Sequence, residues 1–411
     1  MNIVFFVLVL AAVVCAGGTD IVAAVSGAEP TKMAAVGTAA FDGAKASVTL
    51  AITLAGAMTL FLGLMKVVEA AGGLDALARL IRPVLVRLFP DVPPTHPAMG
   101  AIVMNIGANV LGLGNAATPF GIKAMQELET LNKHPGTATN AMVLFLAINT
   151  SGVAVLPTGV MAMRAAAGSA APESIFVPTL VASVFNTVVA VLAAKGFSRL
   201  FPAPSPPDVH AVKESWLDLI PLVAIAAGFA TLVVTVFFVK PASAWIIPML
   251  ILGMLTIGVV RRVKVYEVFI EGAKDGFASA TRIIPYLVAI LTAVGMLRAS
   301  GALDAAVAFV APAVRLVGMP PEVLPLALLR PLSGSGAYAL TTEITTTYGP
   351  DTFIAQVAGT MQGTTETTFY VLAVYFGAVN ILKTRHAVPT GLASDISGVL
   401  AAVAACHWLI S

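Results

Sequence analysis

Glu366 is the residue of this sequence whose chemistry is hardest to explain by packing alone. It lies among threonines in the stretch MQGTTETTFYVL at 361–372, in the middle of a long apolar segment. A carboxylate at the centre of a bilayer costs about 3 kcal/mol on insertion scales, so it needs a cavity, a partner or a bound proton. We therefore expect Glu366 to contact a polar solute or to carry a coupling proton or cation.

Two further charged residues lie in the stretch LRPLSGSGAYALTTEI at 329–344. Arg330 is the most plausible oppositely charged partner for Glu366. The pair is either part of a functional site or a structural lock, and the sequence leaves both readings open. Glu343 is predicted to lie nearer the outer surface, and it completes the set of coupling or charge-pairing candidates.

A related stretch, LFLAINTSGVAVLPTGV at 144–160, carries uncharged polar residues. Asn149, Thr150 and Ser151 precede Pro157 there. Proline removes one backbone donor and clashes with the carbonyl four residues earlier, so it interrupts the helix and frees backbone groups. These groups could bind a solute or a cation.

Helical spacing places Gln362, Thr365 and Glu366 on one face, which Tyr370 extends. Small polar residues also serve as hydrogen-bond glue between membrane helices, and this alternative stays open for the threonines. The predicted solute-binding residues are Asn105, Asn109, Asn115, Thr118, Asn149, Thr150, Ser151, Ser333, Ser335, Gln362, Thr364, Thr365, Glu366, Thr367 and Tyr370.

Two Gly-rich apolar stretches, 97–122 and 322–345, are interrupted near their middles by Gly, Pro, Asn or Ser. This pattern favours re-entrant hairpins, because irregular backbone at membrane depth is tolerated only where protein or a wet cavity covers it. Amide groups and hydroxyls at the tips would then line a substrate cavity. Tight glycine-mediated packing is the competing account.

The composition identifies an integral membrane protein. Of the 411 residues, 58% are hydrophobic and 11% are charged, against about 25% charged in soluble domains. The sequence has no Walker A motif, dinucleotide fingerprint, metal-ligand cluster or basic patch for nucleic acid. No His or Lys base is assigned beside the Thr residues near Glu366, and Lys383 and His386 are expected in a solvated loop. We expect neither catalysis nor a cofactor, with Na⁺ or H⁺ as coupling ion.

Apolar segments of about 20 residues mark spans. The predicted spans are 3–17, 46–70, 138–161, 174–195, 217–239, 244–261, 278–298, 353–380 and 388–410. The first lacks a basic n-region and is expected to be a retained helix rather than a signal peptide.

The chain repeats itself: FDGAK at 41–45 returns as IEGAK at 270–274, and VPT at 177–179 returns at 388–390. Five predicted spans lie between Lys45 and Lys274, which are equivalent positions of the two copies, so the copies are predicted to be inverted. The excess of Lys and Arg on one side places the N-terminus in the cytoplasm and the C-terminus outside. The predicted units are an N-terminal helix and outer loop at 1–39, repeats at 40–196 and 269–411, and a two-span linker at 197–268.

These stretches also carry a family resemblance. MNIGANVLGLGNAATPFGIKAM (104–125) resembles the spore maturation A protein family. LRPLSGSGAYALTTEI, QGTTETTFYVLAVYFGAV and KTRHAVPTGL resemble the spore maturation B family, so the chain looks like a fusion of the two. Both families carry the gate, or nucleoside recognition, domain. The resemblance implies a fold like that of concentrative nucleoside transporters, although the first interrupted helix here has Asn149 and Thr150 and no acid.

The predicted fold is therefore an all-α polytopic membrane protein with two inverted repeats, each with a re-entrant hairpin and a broken transmembrane helix. The expected function is secondary transport of a small polar solute across the bacterial inner membrane, with nucleosides as one candidate class. Translocation of a lipid or envelope precursor, and a non-transporting regulatory role in envelope or spore maturation, are the alternatives. The expected partners are the solute or amphiphile, the bilayer and further copies of the chain, as a dimer or trimer.

Overall fold

The computed structural model describes residues 2–110, 117–152, 157–202 and 246–410, together with the single positions 220, 223 and 227. These residues form helices joined by short loops, and no strand occurs among them apart from one isolated bridge between Thr137 and Lys383. The first part of the chain contains α1 (Asn2–Val25), α2 (Lys32–Ala70), α3 (Gly73–Leu88), α4 (Pro97–Val110), α5 (Ala117–Glu129), α6 (Asn140–Thr150), α7 (Thr158–Ala166) and α8 (Phe176–Leu200). The second part contains α9 (Ile246–Val260), α10 (Val265–Ser300), α11 (Ala302–Arg315), α12 (Leu324–Leu329), α13 (Gly334–Tyr348), α14 (Phe353–Thr364), α15 (Thr368–Gly377) and α16 (Ala387–Leu409).

Helices α2 and α10 form the longest contact in the molecule, and they run antiparallel. Gly43 lies against the backbone of Leu291, whereas Gly276 lies against the backbone of Thr59. A Cβ atom at Gly276 would come within 2.6 Å of the Thr59 Cα, so only glycine permits this approach. Small residues of this kind let membrane helices pack closely without polar contacts.

Each of the two predicted broken helices folds as two separate helices. The segment predicted as 138–161 folds as α6 and α7, and the segment predicted as 353–380 folds as α14 and α15. Each first half begins at a threonine cap: the Thr139 hydroxyl accepts from the Met142 N–H, and the Thr352 hydroxyl accepts from the Ala355 N–H. Such caps satisfy amide donors that the first helical turn leaves unpaired.

The two broken helices run antiparallel, because each end of one is tied to the opposite end of the other. Buried Arg164, at the end of α7, donates to the carbonyl of Pro350 and pairs with Asp351 at 3.0 Å, just before α14 begins. Arg385, which follows α15, donates at 2.9 Å to the carbonyl of Ala138, just before α6 begins.

Helices α4 and α5 pack side by side as a helical hairpin, and its tip at 111–116 lies outside the described residues. Helices α12 and α13 form the second hairpin. The first hairpin packs on α6 and α15. The second packs on α14 and on α7, where Tyr338 of α13 donates to the carbonyl of Gly159. The two largest hydrophobic cores of the described residues lie one around each hairpin.

The apolar helices make the chain a multi-pass membrane protein. Among the residues that the structure describes, three helices are long and apolar enough to cross a membrane, namely Phe5–Val25, Pro172–Leu200 and Ala387–Leu409. A fourth results if Leu287–Ser300 and Ala302–Phe309, bent by 81°, form one span. The predicted span 217–239 lies outside the described residues apart from three positions.

One loop residue differs from the expectation. Lys383 is exposed as predicted for a solvated loop, but His386 is 1% exposed, so that expectation is wrong for the histidine. Its ring lies on the ring of Phe201, with centroids 6.3 Å apart. The chain of α8 ends beside the start of α16, and this non-local contact covers the imidazole.

Candidate functional site

The two breaks touch each other in the centre of the molecule. The Glu366 N–H donates at 3.0 Å to the carbonyl of Thr150, the last residue of α6. Gly152 has a φ of +63°, and a Cβ there would lie 2.7 Å from the carbonyl oxygen of Thr364. Glycine is thus required twice at this position, for its left-handed backbone and for the close approach.

Asn186 of α8 holds both breaks. Its amide nitrogen donates to the carbonyl of Ser151 at 3.1 Å and to the carbonyl of Thr364 at 3.4 Å. Its amide oxygen accepts from the hydroxyls of Ser394 and Ser397 on α16, at 3.2 and 2.6 Å. One buried side chain therefore joins four helices, and it satisfies carbonyls that the helix ends leave open.

Arg330 caps the second break. Its guanidinium donates to the carbonyl oxygens of Gln362 and Thr365 and to the hydroxyl of Thr367. Its charge lies at the C-terminal end of α14, where the helix dipole favours a cation. The Glu366 carboxylate is 3.8 Å away, a long contact for an ion pair. The main contacts of Arg330 are thus with the backbone of the break, and its contact with the carboxylate is weaker.

The carboxylate itself is open to solvent. Glu366 is 56% exposed while Arg330 is 4% exposed, so the lock does not enclose the acid. Separately, an open cleft of about 480 Å³ is lined by Thr118, Pro119 and Ile122 of α5 and by Tyr370 of α15, one turn of chain after Glu366. The cleft lies between the first hairpin and the second broken helix. It offers a hydroxyl, an aromatic ring and apolar surface.

The first hairpin is tied to both broken helices by an amide network. The Asn109 amide donates to the Asn149 side-chain oxygen at 2.9 Å, and the Tyr375 hydroxyl donates to that oxygen at 3.3 Å. The Asn105 amide donates to the carbonyl of Ala117 and to the Tyr375 hydroxyl. Asn105 and Asn149 are buried. These amides position the hairpin arm that lines the cleft.

Several predicted solute ligands bind their own helices. The hydroxyls of Thr150, Ser151, Thr364 and Thr365 donate to carbonyls three or four residues earlier, and all four residues are buried. The Ser333 hydroxyl caps α13 by accepting from the Gly336 N–H. These groups shape the breaks.

The prediction that residues around Glu366 share one helical face is wrong. Helix α14 ends at Thr364 and α15 begins at Thr368, so Glu366 lies in a non-helical segment between Thr365 and Thr367, which both have extended backbone. Thr365 is 1% exposed and Glu366 is open to solvent. Extended backbone turns successive side chains to opposite sides, and a helical wheel does not apply.

Of the remaining candidates, Glu343 is separated from the break. Glu343 accepts from the Arg298 guanidinium at 2.6 Å, about nine residues along α13 from its start at the second tip. This distance corresponds to roughly 13 Å of helix. Ser335 and Gln362 are half-buried, and Gln362 lies in the last turn of α14, where its carbonyl accepts from Arg330. Asn115 lies outside the described residues.

Sequence reasoning missed Asp395, a buried acid in α16. Its Oδ1 accepts from the Thr368 hydroxyl at 3.0 Å, at the first residue of α15. The signal was present, because an acid inside the apolar segment 388–410 deserves the same question as Glu366. Asn186 was also missed, since a single amide within a span gives no sign of its four partners.

Comparison with known proteins identifies the family to which the sequence is similar. Residues 51–167 and 280–382, together just over half of the chain, match the Gate family, which is described as nucleoside recognition. Both matched segments end before α8 and α16, the helices that brace the breaks.

Two curated relatives each match about two fifths of the chain. Spore maturation protein B of Bacillus subtilis (strain 168) is 49% identical over 161 residues, 39% of this chain and 90% of that protein. Spore maturation protein A of the same organism is 44% identical over 162 residues, 39% of this chain and 83% of that protein.

Among solved structures, CNTnw in an inward-facing substrate-bound state aligns with a TM-score of 0.45 at 13% identity, over 87% of this chain and 74% of that one. A variant of CNTnw in an outward-facing state aligns at 0.44 and 14% identity, over 87% and 75%. On its sequence matches, the chain belongs to the Gate family of nucleoside recognition and is homologous to spore maturation proteins A and B.

Proposed function

We propose that the protein is a secondary transporter that moves a small polar solute across the bacterial inner membrane by alternating access. The observation that carries the proposal is the antiparallel crossing of two broken helices that meet at Glu366, whose carboxylate is exposed. Broken helices that meet in this way are the structural element from which many secondary transporters build a midplane site.

The proposed architecture has two inverted repeats with re-entrant hairpins. The antiparallel pairing of α2 with α10, and of α6–α7 with α14–α15, is the arrangement that an inverted relation requires. The hairpin arms support re-entry by their length: α4 has 14 residues and α13 has 15, whereas a span needs about 20. In this arrangement the N-terminus is cytoplasmic and the C-terminus is outside.

The chemistry of the cleft favours a neutral polar solute such as a nucleoside. A carboxylate accepts hydrogen bonds from the hydroxyl groups of a sugar, and Glu366 is exposed to receive them. Tyr370 and Ile122 offer a flat apolar surface on which a base could rest. The description of the family as nucleoside recognition agrees with this class. Protons or sodium ions are the proposed coupling ions, and no catalytic step is proposed.

The openness of the cleft favours a second candidate, translocation of an amphiphile. Pro119 and Tyr370 are exposed at its rim, and apolar side chains form part of its wall. A non-transporting role in envelope or spore maturation is a third candidate, which the names of the two relatives favour. In each case the bilayer surrounds the protein, and a dimer or a trimer is compatible with the chain.

Ligand-dependent thermal stabilisation of the purified protein tests the proposal. Nucleosides, other polar metabolites and lipid precursors are added separately, with and without sodium and at two pH values. A ligand that binds only the folded state raises its apparent stability. We expect a polar solute to stabilise the wild type, Glu366→Gln to abolish this gain, and the matched control Glu271→Gln, at an exposed site on α10, to retain it.

The same panel separates the three candidates. Stabilisation by an amphiphile alone would replace the polar solute with a lipid-like substrate. If no compound of the panel stabilises the protein, the non-transporting role is favoured. If a solute still stabilises Glu366→Gln, its binding site does not depend on this carboxylate. Uptake of that solute into proteoliposomes would then test transport independently of the site.

A further inference from the structure

Asp395 is a second carboxylate at the second break, and it is enclosed where Glu366 is open. It is 5% exposed and lies in α16, one of the helices long and apolar enough to cross a membrane. Its Oδ1 accepts from the Thr368 hydroxyl at 3.0 Å. Its Oδ2 is buried and has no hydrogen-bond partner among the described residues. An ionised oxygen in that position is buried without a hydrogen-bond donor among the described residues.

The charged groups around Asp395 do not balance. Arg330 interacts electrostatically with both Glu366 and Asp395, so one buried cation faces two carboxylates. Arg330 donates its hydrogen bonds to backbone carbonyls and to the Thr367 hydroxyl. Among the described residues, no hydrogen bond or ion pair joins Arg330 to Asp395. One negative charge is therefore left over at the break.

The elements packed on α16 supply no further charge near Asp395. Helices α6 and α14 contain no titratable side chain, and Lys195 and Arg199 of α8 lie in its last two turns. Tyr370 and Tyr375 are the titratable residues of α15. Arg330 is thus the charged group that Asp395 faces.

We infer that Asp395 is a proton-binding site, with the proton held on Oδ2 while Oδ1 keeps the Thr368 hydroxyl. A proton accounts for the geometry directly, because it neutralises a buried carboxylate whose Oδ2 has no hydrogen-bond donor among the described residues. Binding of the proton makes the cluster electrically neutral, with Arg330 balanced by Glu366. Loss of the proton leaves a buried anion bonded to the first residue of α15.

This site deepens the proposed function by locating a coupling proton next to the solute carboxylate. Its role in coupling rests on the proposed transport activity, but the protonation itself does not. Thr368 links the site to the break, so the charge on Asp395 acts directly on the start of α15, which carries Tyr370 into the cleft.

Infrared difference spectroscopy of the full-length protein in lipid nanodiscs tests the inference without a transport assay. The probe is the carbonyl stretch of a protonated carboxylic acid, recorded as a function of pH. We expect a band at neutral pH in the wild type that is missing in Asp395→Asn and present in Glu366→Gln. Asp275→Asn, at an exposed position on α10, is the matched control and should keep the band.

A second variant protects the test against misfolding of Asp395→Asn. Thr368→Val keeps the side-chain volume but removes the hydroxyl that stabilises the ionised form, so its band should persist to higher pH than in the wild type. A band that survives Asp395→Asn, or no band in the wild type at any pH, would overturn the assignment. Loss of the band on addition of sodium at constant pH would replace the proton by a sodium ion.

Discussion

The backbone N–H of Glu366 donates a 3.0 Å hydrogen bond to the carbonyl oxygen of Thr150. Thr150 ends α6, and a helix end leaves its last carbonyls without an internal partner. The residue that carries the exposed carboxylate therefore satisfies the end of the other broken helix. Because of this bond, we expect a shift of either broken helix to move the other.

Replacement of Arg330 by Met should destabilise the protein by about 3 kcal/mol or more, because buried carbonyl oxygens lose their donors at about 1–3 kcal/mol each. Glu366→Gln should cost less than about 1 kcal/mol, since the carboxylate is exposed and its contact with Arg330 is 3.8 Å long. Denaturant unfolding in micelles measures both. Equal losses would mean that the carboxylate is an essential part of the lock.

Replacement of Asn186 by Ala should cost about 2–4 kcal/mol, because the side chain bonds both breaks and two serines of α16. Val188→Ala on the exposed face of the same helix is the control, and it should change the stability by about 0.5 kcal/mol or less. Unfolding curves of the two variants at one detergent concentration provide the comparison. Similar curves would show that the amide network does not support the fold.

Acid should destabilise the wild type through His386. Burial, together with the charge of Arg385, lowers the pKa of His386 from 6.5 to about 4. Between these values the unfolded chain takes up a proton that the folded protein does not bind, so the unfolding free energy falls as the pH drops from 6.5 towards 4. The expected loss from this group is about 1–3 kcal/mol.

His386→Gln removes the titrating group and keeps a donor on the side chain. Its unfolding free energy, measured at several pH values between 4 and 7, should decline less steeply than that of the wild type. Parallel pH profiles for the two proteins would show that the imidazole titrates normally in the folded state.

Lys45 and Lys274 should lie on opposite faces of the membrane. Gly272 and Gly276 contact α2 between Met58 and Lys66, so Lys274 is level with a point about fifteen residues beyond Lys45. At 1.5 Å per residue this separates the two lysines by roughly 22 Å along the helix axis, most of the thickness of the hydrocarbon core.

Single cysteines at these two positions, in a background with Cys15 and Cys406 replaced by serine, measure the topology. A membrane-impermeant thiol reagent added to right-side-out vesicles should label Lys45→Cys, on the predicted outer side, and spare Lys274→Cys until the membrane is opened. Labelling of both from one side would refute the inverted arrangement.

The sequence by itself determined the class of protein, the helical architecture and the places where helices break. Apolar length, Pro157 and the polar run around Glu366 are local signals, because a span needs a fixed number of apolar residues and proline removes a backbone bond wherever it stands. The division of the chain into repeats at 40–196 and 269–411 stays a prediction of the same kind.

Only the tertiary structure decided which polar groups are buried and which are exposed. Thr365 and Glu366 are neighbours in the chain, yet one is buried against α16 and the other is exposed. A hydroxyl can bond its own helix, so threonines alone do not predict a site, and the partners of Arg330 and Asp395 come from distant segments. Burial and charge balance are properties of these non-local contacts, and the spacing of residues along the chain does not contain them.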